Sequence, residues 1–200
     1  MRILLIRHGE TLWNREERCQ GFSDVALSER GIKQAQLLSR ALQGDRLDAI
    51  YSSDLIRAKK TADIIAEPHG ISVHTDVRLR EMNQGHLEGK NIEEMLKEYP
   101  EVLRNWMQAP AEMVMPGGES LKQIQDRGWH AFQEIMEKHQ GKDIAIVGHN
   151  LLNVCILCNI LGIDLNDFRK IKQHSSAINE IEDGKYGLVI IRLNDTHHLS

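Results

Sequence analysis

Short apolar runs alternate along this chain with longer segments whose apolar residues recur at helical spacing. The runs predict strands over 2–6, 48–52 and 142–147, a short strand near Val73, and a last, edge strand over 188–193. This alternation predicts an α/β fold with a largely parallel central sheet and helices on both faces. In such sheets the active site lies at the carboxyl ends of the strands.

The segments between the runs carry recognisable helix signals. Ser28 is a predicted N-cap, and the helix that follows the second strand must end before Pro68. The longest helix is predicted over 119–139, and another helix, over 93–103, is expected to break near Pro100.

Composition indicates an ordinary globular protein. Of the 200 residues, 41% are hydrophobic and 27% are charged. Because no repeat, low-complexity tract or linker divides the chain, we expect one domain over residues 1–200. The net charge of -4 provides no general attraction to nucleic acid or to acidic membranes, so a bound anion requires a local cluster of positive groups.

Cysteine usage and the apolar stretches favour a cytoplasmic protein. Three cysteines cannot all pair with one another. Of these, Cys155 and Cys158 lie in an apolar helix and are interpreted as core residues, so no metal site is expected. The N-terminal run lacks the features of a secretion signal, and polar residues interrupt the long apolar stretch over 144–161.

The sequence is compatible with a homodimer but does not fix the oligomeric state.

Two of the predicted strands end next to a histidine. Arg7-His8 follows the first strand, and Gly148-His149 follows the strand over 142–147. A neutral imidazole can attack phosphorus and form a phosphohistidine, while an adjacent guanidinium offers a planar fork of donors to phosphate oxygens. The charge of Arg7 also disfavours protonation of His8. An isolated Arg-His pair is nevertheless more often a plain strand end than a nucleophile.

Two further segments offer groups that suit phosphoryl transfer. Arg57 lies near the start of a helix that follows a strand, where its charge and the free backbone N–H groups can face one anion. Glu81 carries a carboxyl group that can protonate a leaving alkoxide and then deprotonate water. Spacing alone does not select Glu81 from the other acidic residues.

Four short motifs occur in order along the chain. They are Arg7-His8-Gly9-Glu10, the Ser-Ser-Asp-Leu-x-Arg-Ala segment ending at Ala58, the Leu-Arg-Glu-Met segment ending at Met82, and Gly148-His149. Together they resemble the histidine phosphatase superfamily, also called phosphoglycerate-mutase-like, and the resemblance runs from Arg2 to about Leu199.

The resemblance implies a set of site residues and no cofactor. It implies that His8 is the phosphorylated nucleophile and that Glu81 is the proton donor. The phosphate pocket and the substrate contacts that it implies come from Arg7, Arg57, His149, Asn14, Gln20 and Gly21, with Thr11 nearby. Departures from the family pattern at Gln84, Leu87, Gly148 and Asn150 bear on the substrate and leave the reaction type unchanged.

These residues predict a phosphatase that hydrolyses a small-molecule phosphate monoester through a phosphohistidine on His8. The resemblance implies α-ribazole phosphate, phosphoserine, and sugar or glycerate phosphates as candidate substrates. The alternatives are a bisphosphoglycerate-dependent phosphoglycerate mutase and a phosphate-binding module without turnover. The segment over 93–120 is expected to cover the pocket and set specificity. The stretch over 89–116 is short for the lid that encloses a mutase site.

Overall fold

The computed structural model describes residues 1–200 and contains one six-stranded sheet. The strands are β1 (Arg2–Arg7), β2 (Ala49–Ser52), β3 (Val73–Thr75), β4 (Ile144–Gly148), β5 (Ile178–Gly184) and β6 (Gly187–Asp195). Their order across the sheet is β3-β2-β4-β1-β5-β6. The first four strands are mutually parallel, whereas β5 runs antiparallel to β1 and to β6. The predicted α/β fold with a largely parallel sheet is therefore confirmed.

Seven α-helices connect and flank the strands. They are α1 (Leu12–Arg15), α2 (Glu29–Leu42), α3 (Ile56–Ala66), α4 (Ile92–Glu98), α5 (Pro100–Gln108), α6 (Leu121–Lys138) and α7 (Asn150–Leu161). Ser28 caps α2 by accepting from the Gly31 N–H, as predicted. The helix break at Pro100 separates α4 from α5, and Ser120 caps the longest helix, α6. No helix in the structure combines the length and the apolar character that crossing a membrane requires.

Successive residues of the central strands point into two different apolar cores. In β1, Ile3 and Leu5 belong to the core that includes α6 and α7, whereas Leu4 and Ile6 belong to the core that includes α2 and α3. All four side chains are fully buried, and each such burial stabilises the fold by roughly 1.5–3 kcal/mol. The helices therefore cover both faces of the sheet. Cys155 and Cys158 lie in the first core, as interpreted from the sequence.

Strand β5 is not evident from the sequence. Its buried half carries two polar residues, Asn179 and Glu180, which interrupt the apolar pattern. Both residues find partners that are distant in the chain. Asn179 donates to the Leu5 carbonyl, and Glu180 pairs with Arg2 and Arg192. Because these partners become neighbours only in the folded sheet, the local pattern carried no strand signal.

Candidate active site

The carboxyl ends of β1 and β4 are neighbours, because Arg7 is in register with Gly148. A histidine follows each strand end. The backbone N–H of His8 donates to the Gly148 carbonyl over 3.1 Å, and the ring centroids of His8 and His149 are 5.1 Å apart. Both side chains are buried. The parallel register thus brings together two histidines that are far apart in the sequence.

A hydrogen bond to the backbone orients the His8 ring. The Nδ1 atom of His8 lies 2.6 Å from the carbonyl oxygen of Gly9. Because a carbonyl oxygen can only accept, Nδ1 must carry the proton, which leaves the lone pair on Nε2. Burial lowers the pKa of His8 well below its ordinary value, and the charges of Arg57 and Arg7 lower it further. His8 is therefore a neutral imidazole with a free nitrogen.

We expect His8 to stay neutral as the pH falls through the range in which an ordinary imidazole gains its proton. A lowered pKa means that protonation occurs only at more acidic pH, so the nucleophile remains available there. The ring nitrogen chemical shifts of His8, followed by NMR during an acid titration, measure this directly. The Arg57→Met variant removes one of the charges responsible and should raise the pKa of His8. Titration of wild-type His8 in the ordinary range would contradict this assignment.

Two arginines, Arg57 buried and Arg7 partly buried, lie beside the histidines without forming ion pairs to carboxylates. Arg57 is fully buried and donates from Nη1 to the Ser23 carbonyl and from Nη2 to the Gly21 carbonyl, each over 2.8 Å. Arg7 donates to the Gln173 carbonyl. The Nε atoms of both arginines lack partners. Burial lowers the pKa of Arg57 to about 10, so the guanidinium stays charged near neutral pH. A charge withdrawn from water without an ion-pair partner is costly, and a bound anion would reduce this cost.

His149 is a third side chain of the site that can donate a hydrogen bond. It occupies the N-cap position of α7, and both of its ring nitrogens are buried without a hydrogen-bond partner. Burial lowers the pKa of His149 well below its ordinary value, and the charge of Arg57 adds to this effect. A neutral imidazole has one N–H group, which can donate to a bound anion.

The Glu81 carboxyl group lies against the first turn of α7. It accepts from the backbone N–H of Leu151 over 3.1 Å and of Leu152 over 3.2 Å, and it also accepts from its own neighbour Met82. These contacts fix the carboxyl group at the wall of the cavity that His8 also lines. Glu81 is thereby placed on the same side of the sheet as the nucleophile.

The start of α3 differs from the expectation. The sequence suggested that free N–H groups there would face the same anion as Arg57. Instead, the Ile56 N–H donates to the Asp24 carboxylate over 2.7 Å, and the Leu55 N–H donates to the Ser53 hydroxyl. Side chains thus occupy the N–H groups of Leu55 and Ile56, and the guanidinium of Arg57 lines the cavity.

Most of the predicted site residues line one cavity of about 600 Å³. The predicted residues that line it are Arg7, His8, Asn14, Gln20, Gly21, Arg57 and Glu81. His149 lies next to the lining residues Asn150 and Leu151. Thr11 is fully buried beneath the cavity, where its hydroxyl bonds to Asn14 and Gln20. Helices α4 and α5, which lie in the segment expected to cover the pocket, contribute apolar side chains to the lining of this cavity.

Glu88 holds the loop that positions Arg57. Its carboxylate accepts from the backbone N–H of Phe22 over 2.7 Å and of Ser23 over 2.8 Å. The same loop supplies the Gly21 and Ser23 carbonyls that receive Arg57. This role of Glu88 is not evident from the sequence, because its loop partners lie 65 and 66 residues away and no local pattern connects them.

The fold and the site define an α/β protein with a cavity at the strand ends that is lined by His8, Arg7, Arg57 and Glu81. A family model for the histidine phosphatase superfamily, branch 1, matches residues 3–196. Phosphoserine phosphatase 1 of Hydrogenobacter thermophilus is 36% identical over 199 residues, covering 100% of this chain and 94% of that protein. The chain belongs to branch 1 of the histidine phosphatase superfamily.

Two further relatives support the same assignment. The probable phosphoglycerate mutase GpmB of Yersinia pestis is 33% identical over 204 residues, covering 100% of this chain and 95% of that protein. Among solved structures, Bacillus stearothermophilus YhfR matches with a TM-score of 0.95 and 30% identity, covering 100% of this chain and 99% of that chain. The family relationship therefore extends over the whole chain, and its members include proteins with different named activities.

Proposed function

We propose that the protein is a phosphatase that hydrolyses a small-molecule phosphate monoester through a phosphohistidine on His8. The observation that carries this proposal is the neutral His8 ring, with Nε2 free, beside two guanidinium groups without carboxylate partners, one buried and one partly buried. Such an arrangement provides a nucleophile and a receptor for the phosphate dianion at one place. The candidate substrates remain α-ribazole phosphate, phosphoserine, and sugar or glycerate phosphates.

In the first step, Nε2 of His8 attacks phosphorus while the bond from phosphorus to the ester oxygen breaks. Arg7, Arg57 and His149 donate to the other phosphate oxygens and stabilise their charge. Glu81 gives its proton to the departing alkoxide, which leaves as an alcohol. The products of this step are the alcohol, the phosphohistidine and the Glu81 carboxylate.

In the second step, water replaces the alcohol. The Glu81 carboxylate removes a proton from this water as its oxygen attacks phosphorus, and the bond from phosphorus to Nε2 of His8 breaks. Inorganic phosphate is released, His8 is again neutral, and Glu81 is again protonated. Glu81 therefore acts as an acid in one step and as a base in the next.

Glu81→Gln should impair hydrolysis of alkyl phosphates by about tenfold more than that of p-nitrophenyl phosphate. A nitrophenolate leaves as a stable anion, whereas an alkoxide requires a proton. Single-turnover rates of phosphoenzyme formation with the two esters measure this difference without interference from dephosphorylation. Equal losses for both esters would show that another group is the acid.

Phosphate release should exceed mutase activity by a factor of about 100 with 3-phosphoglycerate. A mutase must exclude water while its intermediate reorients, but here the segment over 89–116 forms only α4, α5 and a short connection. The assay follows 2-phosphoglycerate and free phosphate together, with and without 2,3-bisphosphoglycerate. Bisphosphate-stimulated interconversion that is faster than phosphate release would favour the mutase, a function consistent with the similarity to GpmB.

A further inference from the structure

The proposed phosphoryl transfer does not use the outer part of the cavity. This part is lined by side chains that we call the apolar wall, namely Met95, Leu96, Trp106, Met107 and Phe168. Leu96 is 55% exposed and Met107 is 69% exposed. Large apolar side chains that remain exposed together around a concave site are typical of a ligand-binding surface. The wall is suited to a substrate with an apolar body.

Arg169 lines the same cavity and is held against two aromatic rings of the apolar wall. Its guanidinium carbon lies 4.5 Å from the centroid of the Phe168 ring and 5.5 Å from that of the Trp106 ring. Its Nη2 donates to the Trp106 carbonyl over 2.8 Å. These contacts orient the guanidinium and leave its other N–H groups available.

Arg169 also lacks a negative partner in the protein. Partial burial lowers its pKa, and no acidic group opposes that effect. Arg18, which lines the same cavity, is different because it pairs with Glu16 and Glu94. Arg169 is therefore the cation of the outer cavity that has no ion-pair partner and can bind a negative group of a ligand.

We propose that the alcohol part of the substrate has an apolar body that packs on the apolar wall and a carboxylate, remote from the ester, that pairs with Arg169. This inference rests on the proposed function, in which the phosphate group occupies the pocket at His8. A planar guanidinium bonds well to a carboxylate, and the Phe168 and Trp106 rings hold the guanidinium in place for it. Phosphoserine fits this description poorly, because its carboxylate is close to the ester and it has no apolar body.

The test uses aryl phosphates with a para side chain that ends either in a carboxylate or in the corresponding primary amide. The acid and the amide of each pair have the same shape and differ in charge. Several spacer lengths are used so that one of them matches the distance from the phosphate pocket to Arg169. Dissociation constants are measured by calorimetry with the His8→Asn protein, which binds without turnover. At the best spacer, we expect the acid to bind about tenfold more tightly than the amide. Methyl phosphate, which has no apolar body, should bind more weakly than either.

Two variants, each introduced into the His8→Asn protein, separate the effect of Arg169 from that of total charge. Arg169→Met should reduce the ratio of the two dissociation constants to near one. Arg40→Met removes an exposed arginine of α2 that is outside the cavity, and it should keep the ratio. Equal binding of acid and amide at every spacer would overturn the inference. A preference that survives Arg169→Met, or methyl phosphate binding as tightly as the aryl amides, would also overturn it.

The kcat/KM values of the wild-type enzyme test the proposed function separately. Hydrolysis of these esters without any preference in binding would leave the phosphatase proposal standing and reject the inference about Arg169. Conversely, an Arg169-dependent preference in binding without release of phosphate from any ester would support the subsite and reject the phosphatase proposal.

Discussion

Replacing His8 with asparagine is expected to lower kcat for an aryl phosphate by a factor of about 10⁴ or more. The asparagine amide can still donate to the Gly9 carbonyl, as Nδ1 of His8 does, but it has no nitrogen lone pair that can attack phosphorus. Steady-state release of p-nitrophenol measures the loss. The dissociation constant for inorganic phosphate, measured by calorimetry, provides the control.

The control separates loss of the nucleophile from loss of the pocket. Because Arg7 and Arg57 remain in place, the variant should still bind phosphate within about threefold of the wild-type affinity. Near-normal turnover by His8→Asn would contradict the proposed chemistry. A wild-type protein that binds phosphate but hydrolyses none of the esters would instead be a binding module without turnover.

Arg57→Met is expected to lower kcat/KM by a factor of about 10³. Arg57 is fully buried, and the Gly21 and Ser23 carbonyls hold its two Nη atoms. Its charge is therefore fixed before the phosphate arrives, which is the condition under which a charge stabilises a transition state most. Methionine keeps much of the side-chain length and removes the charge, so the loss should appear mainly in kcat/KM.

The matched control is Arg40→Met, which removes the same charge from an exposed position on α2. This control should retain wild-type kcat/KM. Thermal unfolding of both variants shows whether the fold is intact, since Arg57→Met also removes the hydrogen bonds to the Gly21 and Ser23 carbonyls. If the folded Arg57→Met protein hydrolyses substrate within about threefold of the wild-type rate, Arg57 does not bind the phosphate group.

The sequence was sufficient to predict the fold class and the elements around the site. Strand β1 and helix α6 have strong local patterns, and their bounds differ from the predicted ones by one or two residues. The positions of His8 and His149 at strand ends also followed from local patterns. That β1 and β4 are adjacent did not follow, because the β1–β4 register depends on how distant segments pack.

The parts of the site that were not predicted depend on contacts between distant residues. Glu88 binds the loop whose carbonyls accept from Arg57, and no sequence pattern connects these two residues. Arg169 is one of many charged residues along the chain, and only the folded structure places its guanidinium on Phe168 and Trp106. Motifs can therefore indicate the nucleophile, whereas the cavity that receives the alcohol becomes visible only in three dimensions.

Rapid-quench trapping of the phosphoenzyme tests the central claim most directly. The wild-type protein is mixed with a ³²P-labelled ester and quenched in base within the first turnover, because a phosphohistidine is stable in base and labile in acid. Peptide mapping should then place the label on His8, and His8→Asn should retain none. Label on another residue, or an acid-stable adduct, would contradict the account.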